Sequence, residues 1–257
     1  MLFPILITTA ATPNDPSSVK LSSFEDRKKC VLDAVSHWQK ISSATELVIC
    51  DGSNYCFKEY LSSHSININK IEFLSFQNDS SAVQFYGKGF GESAIVKYAL
   101  NNSVTLSKYS YFAKCTGKLW IKNFDKVINF YDKQPCVLMP YFSSGIFKTP
   151  RLEYIDTRFY IFNKNFYIKN FLNIYDEYSP GKSIEDLFLN KVLSLELKNV
   201  FFPFSLIVAG ISGGSNTEYN TKKYRILKDS VRYFYWKRSP FFNYPFLSAE
   251  TTHTNKK

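Results

Sequence analysis

Short apolar runs alternate with segments of helical periodicity through the first half of this chain, and each run ends in small or polar residues. Phe3 to Thr8 reads as a strand buried on both faces. A loop with Pro13, Asn14, Asp15 and Pro16 follows. Ser23 is then placed to cap a helix beginning near Phe24, with Glu25 and Asp26 in its first turn and Val31, Leu32, Val35 and Trp38 along one face. Leu47 to Cys50 is a second strand, ending at Asp51-Gly52-Ser53-Asn54. Tyr55 to Leu61 is a helix and Ile71 to Leu74 a third strand. Gly87-Lys88-Gly89-Phe90-Gly91-Glu92-Ser93 opens a helix that continues to Leu100. Tyr109 to Ala113 is a further strand, ending at Lys114-Cys115-Thr116-Gly117-Lys118. Repeated strand-then-helix units predict an α/β fold, a mostly parallel, Rossmann-like twisted sheet flanked by helices.

The second half is less regular. Pro135 to Met139, Gly145 to Lys148, Tyr154 to Phe162 and Phe201 to Ala209 read as strands; Ile184 to Leu195 and Lys222 to Trp236 read as helices. No repeat or linker divides the chain, and its 257 residues suit a single domain.

Hydrophobic residues at 45% and charged residues at 21% exclude wholesale disorder. Aromatics reach 18%, which an AT-rich genome or sugar stacking would each produce, so the figure decides nothing alone. The net charge of +10 points to polyanionic partners: nucleic acid, anionic lipid, or the phosphates of a nucleotide. The densest basic run, Lys222, Lys223, Arg225, Lys228, Arg232, Lys237 and Arg238, is interleaved with aromatics. It reads as a solvated helix face or as peripheral contact with an anionic membrane. Five cysteines without a CxxC pair, and only three histidines, offer no zinc-site spacing. Reduced thiols in a cytoplasmic protein are the simplest account. No apolar run reaches the roughly 20 residues that span a bilayer, and the first residues read as a buried strand rather than a signal peptide.

In open α/β sheets, ligands bind beyond the carboxyl ends of the strands. Those ends carry Thr8-Thr9-Ala10, Asp51-Gly52-Ser53, Lys88-Gly89-Phe90-Gly91-Glu92 and Lys114-Cys115-Thr116-Gly117-Lys118. Small residues admit a ligand to the backbone, hydroxyls and carboxylates can bond base and ribose, and lysines can meet a diphosphate. The glycine-rich stretch is neither a Walker A motif nor GxGxxG. Its expected use is to present helix-start amides to an anion.

These stretches, Ile7-Thr8-Thr9-Ala10-Ala11-Thr12-Pro13-Asn14-Asp15, Glu46-Leu47-Val48-Ile49-Cys50-Asp51-Gly52-Ser53-Asn54, and the Lys88–Ser93 and Ala113–Ile121 pair, resemble bacterial GT-A-type glycosyltransferases of polysaccharide and O-antigen clusters, over about the first 160 residues. The resemblance implies a nucleotide-sugar donor half in residues 1–120 and an acceptor half in 121–257. Their shared place at the strand ends makes Thr8, Thr9, Ala10, Asp51, Lys88, Gly89, Gly91, Glu92, Lys114, Thr116, Gly117 and Lys118 the expected donor contacts, and the resemblance implies that Asp51 meets the nucleoside. Such enzymes commonly hold a divalent metal with a DxD motif at the mid-chain strand end. Here Lys114 to Lys118 stands in that place, so no metal or other cofactor is expected and lysines replace its charge.

An inverting transferase needs a carboxylate as general base on the acceptor hydroxyl. Asp156 is the first candidate, provided Arg158 points elsewhere, and Glu185 the second. Arg158, Ser212 and Gly213 are expected at the acceptor side, the last two in a mobile lid. Two other functions compete. A sugar nucleotidyltransferase would want a glycine-rich basic loop after the first strand, where this chain has no glycine and no base before Lys20. A nonenzymatic nucleic-acid-binding protein would want exposed paired aromatics, and no nucleic-acid partner is expected.

Overall fold

The computed structural model describes residues 3–41, 45–130, 134–143, 151–179 and 181–219, with positions 227, 230, 231, 233 and 234 beyond them. The expected strand from Gly145 to Lys148 and every basic residue of the run from Lys222 to Arg238 lie outside the described residues.

The strands are β1 (Ile5–Thr9), β2 (Leu47–Asp51), β3 (Ile71–Ser75), β4 (Tyr111–Thr116), β5 (Leu119–Ile121), β6 (Cys136–Ser143), β7 (Arg151–Asn163) and β8 (Val208–Gly210). The helices are α1 (Phe24–Ile41), α2 (Lys58–Ser63), α3 (Ser80–Tyr86), α4 (Lys88–Asn102), α5 (Val104–Ser107), α6 (Phe124–Phe130), α7 (Lys164–Asn170) and α8 (Ile184–Ser194). One sheet runs in the order β3-β2-β1-β4-β7-β6. Its first four strands are parallel, and β7 and β6 continue it antiparallel. The alternation thus yields the helix-flanked, mostly parallel sheet it predicts, and β7 joins the second half of the chain to the first by pairing directly with β4. A small second sheet pairs β5 with β8.

All residues of β1 and β2 are buried because helices cover both faces. Leu6, Val48 and Cys50 face a core completed by α4, α7 and α8, through Ile95, Val96, Tyr167, Leu187 and Phe188. Ile5, Ile7, Leu47 and Ile49 face the opposite core, with Val31, Val35 and Trp38 of α1, Leu61 of α2 and Val127 of α6. The strand's two-residue period sorts its side chains between the cores. Ser23 Oγ accepts from Asp26 N at 3.3 Å and starts α1 where the sequence places it. Ser183 and Asp186 form a reciprocal capping box on α8.

Two elements differ from expectation in ways that matter below. The fourth strand runs to Thr116, so Lys114 lies inside it and not beyond its end. The apolar stretch from Phe201 to Ala209 is a strand only over Val208–Gly210; Pro203 lacks the N–H a ladder needs, and Phe201 makes an isolated bridge to Leu138. On β7, the partner of β6 jumps from Tyr160 to Asp156 between Leu138 and Met139, leaving Thr157 to Phe159 without partners on that side. Such irregularities re-aim side chains. Among the described residues no helix is long and apolar enough to cross a membrane.

Candidate functional site

A cleft of about 660 Å³ opens over the carboxyl ends of β1 and β4. Its walls come from α3 and α4, from Tyr178 and the start of α8, from the bulged part of β7, and from the loop after β8. Thr8, Thr9, Ala10, Lys88, Gly89, Gly91, Glu92, Thr116, Lys118, Asp156, Arg158, Glu185, Ser212 and Gly213 all line it. Asp51, Lys114 and Gly117 do not.

Asp51 is fully buried. Its Oδ2 accepts from Ala11 N at 2.7 Å, and its Oδ1 from Ser53 N, Ser53 Oγ and Tyr55 N at 2.7, 2.7 and 3.1 Å. The expected nucleoside contact is therefore corrected: the carboxylate is committed to the loops after β1 and β2. Burial raises its pKa and those hydrogen bonds oppose the rise. Gly117 has a similar structural use, since a Cβ there would stand 2.7 Å from Thr8 O.

Lys114 projects from the middle of β4 and is 1% exposed at its side chain. Its ammonium pairs with Glu92 Oε1 and donates to Thr157 O at 2.8 Å and Thr116 Oγ1 at 3.1 Å. The same Glu92 oxygen accepts from Thr8 and Thr116 hydroxyls, each at 3.0 Å. Burial raises the Glu92 pKa, but the Lys114 charge and these donors outweigh it and hold the carboxyl below its ordinary value. The expectation that Lys114 meets a diphosphate is corrected: its charge is neutralised within the floor of the cleft. An ammonium in an ion pair beside a second lysine does not suit a divalent cation, which wants oxygen ligands, so the residues at the DxD place do not fit a metal.

Lys118 differs. The residue is 6% exposed and lines the cleft. Arg27 of α1 stands behind it, 6% exposed, with Nε donating to Ala10 O at 2.7 Å and Nη1 to Leu21 O at 2.9 Å. A Cβ on Gly213 would lie 3.5 Å from Lys118 Nζ and 3.9 Å from Arg27 Nη1, and one on Gly214 would lie 3.3 Å from Lys88 Nζ. The loop after β8 thus passes between three cations, and glycines let it. Lys20 N and Leu21 N donate to Gly214 O and Gly213 O at 3.2 and 3.3 Å, and Ser212 N to Thr217 O at 2.9 Å, so the loop in which Ser212 and Gly213 are expected as a lid lies against the segment that leads into α1.

The glycine-rich stretch also plays a different part. Gly87, at φ +91°, separates α3 from α4, and Gly89 and Gly91 lie inside the first turns of α4. A Cβ on Gly89 would meet the Tyr178 hydroxyl at 2.7 Å, and one on Gly91 would meet Val83 at 3.0 Å. The glycines serve close packing along the cleft wall.

At the far end, Arg158 folds back on Asp156, its Nε 2.8 and 2.9 Å from the two carboxylate oxygens and its Nη2 also bonded to Oδ2. The Arg158 guanidinium lies 4.7 Å from the Tyr219 ring centroid. The condition for Asp156 as a base therefore fails, because a proton would have to displace the guanidinium. Among the described residues Glu185 forms no ion pair: Thr157 Oγ1 donates to its Oε1 at 3.3 Å. Burial raises the Glu185 pKa, and the nearby Glu92 and Asp156 charges add to the rise.

Sequence reasoning misses Arg27, Tyr154, Tyr178 and Tyr219 as lining residues. Arg27 carried a signal: it stands four positions before Val31 and seven before Ala34, on the buried stripe of an amphipathic helix. The tyrosines carried none, since the chain has 18 of them.

No family model matches the chain, and no curated protein matches it. Solved structures do. One is a putative nucleotide-diphospho-sugar transferase from Desulfovibrio desulfuricans, with TM-score 0.48 and 11% identity, covering 93% of this chain and 95% of that one. Another is the 4-diphosphocytidyl-2C-methyl-D-erythritol synthase of Anaerococcus prevotii, with TM-score 0.45 and 12% identity over 92% and 97%. A third is the WbbM bifunctional glycosyltransferase in its apo form, with TM-score 0.44 and 8% identity over 74% of this chain; this chain spans 37% of that one.

Proposed function

We propose that this chain is a glycosyltransferase that binds a nucleotide sugar in the cleft and moves the sugar to a hydroxyl of a growing cell-surface glycan. The observation that carries the reading is the order of groups along the cleft. Lys118 and Lys88 line the cleft near β1 and β4, where neither makes a side-chain hydrogen bond or ion pair among the described residues, and a half-buried carboxylate, Glu185, stands at the β7 side. A donor lying across the strand ends would put its diphosphate at the cations and its sugar toward Glu185. Glu185 then takes the proton of the acceptor hydroxyl as that oxygen attacks the anomeric carbon. The bond from that carbon to the phosphate oxygen breaks, and its electron pair leaves with the nucleoside diphosphate. A carboxyl with a raised pKa is the better base for this task.

Lys118 and Lys88 would offset the leaving charge without a divalent metal. The chain would act as one domain, with residues 1–120 holding the donor and 121–257 the acceptor. The basic run beyond Lys222 would keep it at the inner face of a bacterial cytoplasmic membrane, beside a lipid-linked acceptor. The test is a product assay with a panel of nucleotide sugars. Release of nucleoside diphosphate, lost in Glu185→Gln with donor binding kept, is the expected result. Release of pyrophosphate from a nucleoside triphosphate and a sugar phosphate would instead make it a nucleotidyltransferase.

A further inference from the structure

On β7 the two-residue alternation of the strand breaks at Glu153. Leu152 and Ile155 stand three positions apart, yet both enter the core that α4, α7 and α8 complete. In an unbroken strand they would point to opposite faces. The partner of β6 steps from Tyr154 to Leu152 between Tyr141 and Phe142, so Glu153 is the extra residue. The break puts Tyr154 on the side of Asp156, and both line the cleft. Tyr141 and Tyr154 are register partners across β6 and β7, and their rings stack with centroids 4.3 Å apart and planes 9° from parallel. A cross-strand pair of tyrosines strengthens a sheet wherever it stands. The place of this one sets it apart. Tyr154 is half-buried in the cleft wall, and Tyr141, on the last strand of the sheet, is 44% exposed. Tyr141 backs one face of the Tyr154 ring, so what Tyr154 offers the cleft is its other face and its rim. The charged groups that act on Tyr154 are Asp156, Arg158 and Glu185. Arg158 is matched by Asp156, so the charge left beside the ring is the Glu185 carboxylate.

We propose that Tyr154, backed by Tyr141, is the platform on which the acceptor's reacting sugar lies, and that this sugar is a neutral pyranose. The assignment rests on the glycosyltransferase reading and names the class of acceptor within it. A pyranose carries C–H bonds on its faces and hydroxyls around its edge. The C–H face suits the electron-rich face of an aromatic ring, and the edge hydroxyls suit polar groups beside that ring. A pyranose on Tyr154 has its edge toward Glu185, which brings an acceptor hydroxyl to the carboxylate that takes its proton. A sugar carboxylate in the same place would face the Glu185 charge, and like charges set side by side disfavour binding. Tyr154 is the contact residue and Tyr141 a positioning residue. Because the stack holds the Tyr154 ring before the sugar arrives, less freedom is lost on binding.

The test is nuclear magnetic resonance of the full chain with isotope-labelled tyrosine rings, with and without uridine diphosphate. The probes are methyl β-galactoside, methyl β-glucoside and methyl β-glucuronide, with glycerol as a hydroxyl compound that has no ring. The signal that Tyr154→Phe removes identifies Tyr154. In the wild type that signal should move as a neutral glycoside is added, move less with the glucuronide at the same concentration, and stay still with glycerol. Affinity for the neutral glycosides should fall about fivefold or more in Tyr154→Leu and about threefold in Tyr141→Leu, and should stay within about twofold in Tyr154→Phe, which keeps the ring. In a transfer assay the losses should fall on acceptor KM and leave donor KM unchanged, a split that a purely structural role would not give. The Tyr154 signal is read in the wild-type chain, so the answer stands even if a leucine variant misfolds. An unmoved Tyr154 signal, glycerol moving it as the glycosides do, tighter binding of the glucuronide, or full affinity in Tyr154→Leu would overturn the platform. The two readings fail separately. A chain that transfers sugar while its Tyr154 signal ignores every glycoside loses the platform and keeps the function. A chain that binds neutral glycosides on Tyr154 but releases no nucleoside diphosphate from any nucleotide sugar keeps the platform and loses the function.

Discussion

Lys114 and Glu92 form an ion pair across the floor of the cleft, joining the middle of β4 to the first turns of α4, and the lysine is the more deeply buried partner at 1% side-chain exposure against 21%. Breaking such a pair from one side leaves an uncompensated charge. Lys114→Met should cost about 3–5 kcal/mol of stability by urea unfolding, and adding Glu92→Gln should recover part of it. Additive losses would show that the pair is not coupled. Because Glu92 is held below its ordinary carboxyl value, this contribution is present above about pH 4.5 and lost as the pH falls through the folded-state value.

Glu185 and Asp156 should separate cleanly in kinetics. Glu185→Gln should lower kcat by roughly 10²-fold or more with donor affinity kept. The acidic limb of the wild-type rate profile should sit above the ordinary glutamate range, because burial raises the Glu185 pKa. Asp156→Asn should act differently, freeing Arg158 and lowering the thermal midpoint. If Asp156→Asn kills turnover and Glu185→Gln does not, the base is Asp156 after all.

Burying Lys118 opposes folding. Its folded pKa is depressed to about 7, below the unfolded value, so the unfolded chain holds the extra proton between about pH 7 and 10.5. Stability from this group therefore rises with pH through that window, and the cost is fully present below it. Lys118→Met should raise the thermal midpoint by a few degrees at about pH 6, and by less at about pH 9. A lower midpoint at both would mean that the methylenes of Lys118 matter more than its charge.

Product formation should survive chelation. With ammonium groups at the place where a DxD motif would stand, turnover after exhaustive EDTA treatment should equal that of the untreated chain, and manganese should add nothing. Loss in EDTA with full recovery in manganese would reverse this expectation.

The order of strands and helices in the first half was legible because it is local. A strand buried on both faces must be apolar along its length, and a helix between two such strands must carry one apolar stripe. The gathering of Thr8, Lys118 and the Lys88–Glu92 stretch on the side of the sheet where the cleft opens followed from that order. Even the pairing of Asp156 with Arg158 was foreshadowed by their two-residue spacing on one strand. What each charge does was not local. Lys114 and Lys118 stand four residues apart in one motif, yet one is matched by Glu92 and the other faces the cleft. That difference arises because β4 runs on to Thr116 and α4 packs its first turns over β1, which seats Glu92 above Lys114 alone. Arg27 and the Gly213–Gly214 wall reach Lys118 from opposite ends of the chain. Electrostatic partners are chosen by distance in space, and only the tertiary packing set those distances.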